Sequence, residues 1–264
     1  RDDLVTGVQT CALPIWLAWL GAVCYTLQIF FDFSGYSDMA LGLGSMMGFD
    51  FPQNFNYPYT ACSVRDFWRR WHMSLTSWFR EYLYIPLGGN RRGPGRKILN
   101  TMIVFICTGI WHGANFTFLI WGILHGVFMC IETIVTKDKK DTGKHFNALA
   151  YIYTMLVVII GFVIFRADST GYAFSYIGRM FSFTSLSSSF TVFMGFLTPV
   201  FIVTAIAGII ACTPVVPYIS AAVKDRKLWT FLNGLSYVAV GAILVLCIMG
   251  LAADSYNPFI YFRF

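Results

Sequence analysis

The sequence predicts an all-α polytopic membrane protein, and three observations carry that prediction. Of the 264 residues, 57% are hydrophobic and only 12% charged, with a mean hydropathy of +0.63, whereas soluble globular chains carry charge on about a quarter of their residues. Predominantly apolar segments recur along the chain, close to the roughly 20 residues that a helix needs to cross a bilayer. Between them, residues 50–97 interleave aromatic side chains with Arg65, Arg69, Arg70 and Arg80, too charged to span and too aromatic for a linker. Short interfacial or re-entrant helices suit that texture, because rings can enter the acyl boundary while guanidinium groups stay hydrated.

The elements follow in chain order. Val5 to Ile15, VTGVQTCALPI, reads as the translation of a sequencing-library adapter. Residues 1–15 are therefore expected to be a non-native leader, and 16–264 the carboxy-terminal part of a larger membrane domain. The first apolar segment runs from Trp16 to about Phe31 and can continue through a glycine-rich stretch to Gly48. Ile98 to Ile110 is too short to cross alone, so a helix broken near His112 is expected; such breaks are tolerated where they line a protein-enclosed or watery cavity. Phe116 to Val135, Ala148 to Phe165, Phe196 to about Val216 and Leu232 to Ala253 complete the set. Cys24, Cys62, Cys107, Cys130, Cys212 and Cys247 lack CxxC spacing and sit mostly in apolar runs, which favours free thiols over a disulfide or metal framework.

Within 50–97, Ser63 before Arg65-Asp66 is a helix N-cap, and LGGNRRGPG has the Gly, Asn and Pro density of a turn. The surplus of basic over acidic residues, 19 against 13, is not a nucleic-acid footprint, since its distribution matters more than its sum. Arg91, Arg92, Arg96 and Lys97 precede the Ile98 segment; Lys137, Lys139, Lys140 and Lys144 follow the Phe116 segment; Lys224, Arg226 and Lys227 precede the last. By the positive-inside rule these loops face the cytoplasm. The stretch 167–194 carries only Arg179 and the tail after Ala253 only Arg263, so both should face out. The Ile98 and Phe116 segments then form one hairpin, with His112 at its turn.

Two histidines stand beside tryptophans in this setting: Trp71-His72 in FWRRWHMSLTSWFREYLYIPLGGNRRG, and Trp111-His112 in TGIWHGANFTFLIWG. Ionisable groups at membrane depth are costly and mark functional interiors. Neutral imidazole suits a general base acting on a hydroxyl, because its ordinary pKa of about 6.5 lies near working pH. A packed, hydrogen-bonded role is the alternative, and it carries more weight for His72 than for His112. His125, within the Phe116 segment, reads as structural, and His145 beside Lys144 as solvated. Asp32 and Asp38 do not share a helix face closely; Asp32 calls for either an arginine partner, from Arg65, Arg69 or Arg70, or a role in a substrate tunnel. Arg91 to Lys97 either report topology or dock an acidic carrier or coenzyme phosphates. Nucleotide hydrolysis, zinc proteolysis and a serine-elbow mechanism have no support, since GxxxxGK[ST], HExxH and GxSxG are absent from the sequence.

DFSGYSDMALGLG, FPQNFNYPY, FWRRWHMSLTSWFREYLYIPLGGNRRG, WHGANFTFLIWGILHG and the terminal NPFIYFRF together resemble the membrane-bound O-acyltransferase family, specifically its bacterial alginate O-acetyltransferase branch. The resemblance runs from about Trp16 to Phe264 and implies a helical bundle around an internal tunnel. It implies that His112, in WHG, is the catalytic base that deprotonates an acceptor hydroxyl, and that His72 orients the substrate or polarises the carbonyl. The implied donor is an acyl thioester, acetyl-CoA or an acyl carrier, arriving from the cytoplasm, with no permanently bound cofactor and no metal. Trp71, Trp111, Asn115, Asp32, Arg69 and Arg70 are expected around the substrate. Both histidines should share one internal cavity open to the cytoplasm, with His125 further from its axis. A multi-pass protein of the cell membrane is implied, moving an acetyl or other short acyl group towards a hydroxyl of an extracytoplasmic polysaccharide or envelope glycan. An extracytoplasmic acyltransferase partner and a cytoplasmic acyl-donor protein belong to the same expectation. D-Alanyl transfer to teichoic acid is the alternative within the family. A transporter or scaffold is the alternative outside it, and no inverted repeat supports that class.

The loop charges make the orientation testable. A cysteine introduced at Lys140 should resist an impermeant thiol reagent in intact cells, and one introduced at Ser188 should react. The opposite labelling would reverse the orientation and the side from which the donor arrives.

Overall fold

The computed structural model describes residues 14–136, 147–183, 186–223 and 226–253. The lysine loop with His145, most of the 1–15 leader, Lys224 and the terminal NPFIYFRF lie outside the described residues. Among the described residues the chain is helical, without strands. Helix α1 spans Ile15–Met46, followed by a 3₁₀ turn at Pro58–Thr60 and two short helices, α2 Val64–Arg70 and α3 Met73–Phe79. A π-helical turn, Arg80–Tyr84, leads to α4 Pro94–Trp111 and α5 Phe116–Thr136. Helices α6 Ala148–Arg166, α7 Thr170–Met180, α8 Leu186–Phe196 and α9 Pro199–Ala211 close this first unit.

Helix α1 runs unbroken for 32 residues, so the glycine-rich continuation is helix rather than loop. Its first residue, Ile15, is also the last residue of the expected leader. Helices α1, α5 and α6 are long and apolar enough to cross a membrane. Helix α4 is not among them, because its first turn is the polar PGRK. Together α4 and α5 form the expected hairpin, broken at residues 112–115.

The hairpin closes tightly because glycines meet across it. A Cβ on Gly122 of α5 would lie 2.3 Å from the backbone oxygen of Phe105 on α4, a contact the backbone cannot relieve cheaply. Small residues at such a crossing let two helices approach where lipid supplies no hydrophobic drive between them.

Segment 50–97 contains the short helices that its texture predicts, separated by turns and coil. Ser63 caps α2, its hydroxyl accepting from the Asp66 N–H at 3.0 Å. A second cap comes from the bundle: the buried Glu132 carboxylate of α5 accepts from the Val64 N–H at 2.7 Å and the Arg65 N–H at 3.0 Å. Helix α2 is thereby docked, and Trp71 at its end enters an aromatic cluster. The Trp71 ring centroid lies 5.0–6.3 Å from those of Phe30, Phe33, Phe55, Tyr59, Phe67 and Phe162. The LGGNRRGPG turn has Gly88, Gly89 and Gly93 at positive φ. It is tied to α4 by the Asn100 amide, which donates to the carbonyls of Leu87 and Gly89.

The expected span Phe196 to Val216 is corrected. Residues 190–196 and α9 meet at an 80° bend, and α9 has only 13 residues. Pro199 starts α9 behind a Thr198 cap and the helix ends at Ala211, so Phe196 to Val216 is not one straight helix. Ser-rich 167–194 is also more helical than its composition suggests: Ser169 caps α7 through the Tyr172 N–H. The second unit, from Thr213, contains α10 Val215–Ala222 and α11 Arg226–Ala253. Residues 227–250 of α11 are long and apolar enough to span, and the helix begins earlier than the expected Leu232.

Glu132→Ala should strand a buried and a half-buried N–H donor at the start of α2 and cost roughly 2–5 kcal/mol. Thermal unfolding in detergent should report a lower melting temperature; an unchanged one would mean that α2 is held by packing alone.

Candidate active site

The site is organised along one face of α4. Lys97, Thr101, Val104, Phe105 and Thr108 recur at helical spacing and line a cavity of about 480 Å³. Lys97 to Thr108 covers about 16 Å of helix at 1.5 Å per residue. The opposite wall comes from α2 and α3 through Arg65, Trp68, Arg69, Thr76 and Phe79, and from α5 through Met129 and Thr133. Arg65, Arg69, Arg80 and Lys97 give the cavity four cationic side chains, while Phe79, Val104, Phe105 and Met129 make much of the rest apolar. Arg65 is braced by a 2.9 Å hydrogen bond to the Thr133 hydroxyl.

His112 continues the α4 stripe one turn beyond Thr108. It caps the helix, its N–H donating at 3.2 Å to the carbonyls of Thr108 and Gly109. Its ring is only 7% exposed and is boxed by Trp111, Trp121 and Phe165 at centroid distances of 4.9, 5.1 and 5.1 Å. Within that box Nδ1 is buried without a hydrogen-bond partner among the described residues.

His72 sits between α2 and α3 in the left-handed region, φ 47° and ψ 52°. That conformation is uncommon outside glycine and is held only where neighbours over-determine it. The preceding loop does so: Asn54 O accepts from the Met73 N–H at 3.0 Å, and Arg70 O accepts from the Asn56 N–H at 2.9 Å. The His72 ring meets Phe33 edge-on at 4.7 Å and Trp111 at 6.1 Å. Trp111 therefore touches both imidazoles, joining residues 112 − 72 = 40 positions apart. Burial pushes the His72 pKa down to about 4, so near neutrality the ring carries no charge.

The other expected site residues divide. Arg69 lines the cavity, whereas Arg70 turns away, paired with Asp66 at 2.9 Å. Trp71 is a core residue, 5% exposed in the aromatic cluster rather than along the cavity, because the end of α2 points it at α1 and α6. Trp111 is 57% exposed at the hairpin turn. Asn115 is engaged structurally at both ends of its amide: Oδ1 accepts from the Thr117 N–H, and Nδ2 donates to Asp168 O. The arginine pairing offered for Asp32 is absent among the described hydrogen bonds, and its Oδ2 is buried without a partner. Neither histidine lines the 480 Å³ cavity, which stops a turn short of His112, so the single shared cavity is replaced by a cavity and an adjoining pair of imidazoles. His125 is structural, as expected: Trp68 Nε1–H donates to its Nδ1 at 3.3 Å, and Gly161 leaves space for Nε2, which a Cβ there would approach to 2.7 Å. Among the described residues no group of three His, Cys, Asp or Glu side chains could hold a metal ion.

Asn54 is the residue that the sequence did not single out. It lies 3.2 Å from His72 Nδ1 through Oδ1, yet nothing in the spacing of FPQNFNYPY separates it from Asn56.

A helical bundle with charged and imidazole groups gathered inside it defines an integral membrane protein with an internal site. The chain belongs to the membrane-bound O-acyltransferase family, whose match covers residues 7–174; it opens within the stretch expected to be a leader. A probable alginate O-acetylase of Pseudomonas putida is 40% identical over 265 residues, covering 94% of this chain and 53% of that protein. A peptidoglycan O-acetyltransferase of Helicobacter pylori is 43% identical over 155 residues, 58% of this chain and 29% of the relative. A teichoic acid D-alanyltransferase of Bacillus subtilis is 33% identical over 153 residues, 53% of this chain and 39% of the relative. The chain spans about half the length of the alginate relatives it matches most fully.

The two buried histidines should answer differently to the same substitution. His125→Leu removes the acceptor of a buried Trp68 N–H and should cost about 1–3 kcal/mol. His112→Leu removes no hydrogen bond from Nδ1 to any described residue and should leave thermal stability unchanged or raised. The reverse order of melting temperatures would contradict these assignments.

Proposed function

We propose that this protein is a membrane O-acyltransferase that moves an acetyl or other short acyl group from a cytoplasmic thioester towards a hydroxyl of an extracytoplasmic polysaccharide or envelope glycan. The observation that carries the reading is the α4 stripe: it leads along a cavity lined by four cationic and several apolar side chains to His112, whose Nδ1 makes no hydrogen bond among the described residues. Arg65, Arg69, Arg80 and Lys97 suit the anionic end of a donor, either coenzyme phosphates or an acidic carrier surface. The apolar length beyond suits a thioester arm. A cytoplasmic rim agrees with the charge bias of Arg91 to Lys97.

In the transfer, His112 takes the proton of the acceptor hydroxyl, and its oxygen bonds to the thioester carbonyl carbon. The carbon–sulfur bond then breaks, and the imidazolium returns the proton to the leaving thiolate, giving an ester and a free thiol. His72, across Trp111, holds the substrate in register. Acetylation of a glycan is favoured over D-alanyl transfer because the alginate relatives cover most of the chain and the teichoic acid relatives about half. A secreted or periplasmic acyltransferase partner works beside it on the same glycan, and the protein works in the cell membrane.

A general base contributes about 10²–10⁴ in rate. His112→Ala in the intact protein should therefore lower glycan acylation by that factor while the protein remains in the membrane. Near-normal acylation would remove His112 from the chemistry.

A further inference from the structure

Four groups converge on the side chain of Asn54. Its Oδ1 accepts from the Ser74 backbone N–H at 3.3 Å and from the Ser74 hydroxyl at 2.9 Å, and its Nδ2 lies 3.2 Å from the Ser37 hydroxyl of α1. A backbone N–H can only donate, so it fixes which end of the amide is oxygen. His72 Nδ1 lies 3.2 Å from that same oxygen. Two acceptors cannot share this contact, and Nδ1 must bring the hydrogen.

We propose that Asn54 is a positioning residue that holds neutral His72 as its Nδ1–H tautomer, leaving Nε2 as a hydrogen-bond acceptor. This deepens the acyl-transfer reading and rests on it for its consequence. A neutral His72 with a bare Nε2 cannot polarise a thioester carbonyl, which needs a donor. It can accept from a second hydroxyl of the acceptor while the reacting hydroxyl gives its proton to His112. The pair therefore selects acceptors that present neighbouring hydroxyls, as sugar rings do. The turn keeps one tie that the amide does not make, because the Met73 N–H donates to the backbone oxygen of Asn54.

The test combines the ¹⁵N spectrum of histidine-labelled intact protein at mildly alkaline pH with acceptor kinetics. His72 is assigned by the signals that His72→Gln removes. Wild type and Asn54→Asp should show a protonated Nδ1 and bare Nε2, whereas Asn54→Leu should gain the Nε2–H form. Loss of one hydrogen bond predicts about a tenfold fall in kcat/KM for the acceptor in Asn54→Leu, an unchanged KM for the thioester, and recovery of most of the loss in Asn54→Asp. A wild-type His72 protonated on Nε2 overturns the proposal, as does a tautomer that Asn54→Leu leaves unaltered, even if its activity falls. If Asn54→Leu does not fold, the wild-type tautomer and the Asn54→Asp rescue decide. The expected tautomer in a protein that transfers no acyl group would uphold Asn54 and refute acyl transfer instead.

Discussion

One buried carboxylate determines where the amphipathic part of this protein lies. Glu132, within a helix long enough to span a membrane, receives the first two N–H groups of α2. A charge in an apolar bundle is tolerable only when its lone pairs are satisfied, and the unpaired N–H groups of a helix start need acceptors equally. Each need answers the other. With α2 fixed at its start, Trp68 reaches His125, Trp71 fills the aromatic cluster, and the turn that follows brings His72 against Trp111.

The same bundle treats its histidines in opposite ways. His125 is enclosed, bonded to Trp68 and matched by Gly161, so removing it would leave a void and an orphaned donor. His112 is nearly as buried, but its Nδ1 has no hydrogen-bond partner among the described residues and lies in a box of rings. An unpaired polar atom at such depth costs stability. The broken α4–α5 hairpin makes the exception possible, because the turn at 112–115 frees the end of the cavity-lining stripe from helical neighbours.

Much of this was legible in the sequence, and the losses have physical causes. Ser63 announced the start of α2 through local capping chemistry, and the two Trp-His pairs stood out because imidazole is rare in apolar surroundings; the structure brings both rings to Trp111. Glu132 and Asn54 were not legible, since each acts through a partner 68 and 18 residues away. Trp71 read as a tunnel residue because composition cannot tell which way a ring points at the end of a seven-residue helix. The apolar run after Phe196 looked like one span because hydropathy outweighed Pro199, which starts a new helix at an 80° bend. Arg69 and Arg70 were indistinguishable in sequence; an i,i+4 pairing with Asp66 took one, and the cavity kept the other.

The central claim is that the cationic cavity and the two imidazoles form one continuous acyl-transfer site. A structure of the intact protein with a thioether analogue of its acyl donor tests it most directly. The account predicts the anionic end of the analogue against Arg69 and Arg80, its arm along Val104 and Phe105, and its acyl carbon between His112 and His72. An analogue bound elsewhere, or one whose acyl carbon lies beyond reach of His112, would contradict it.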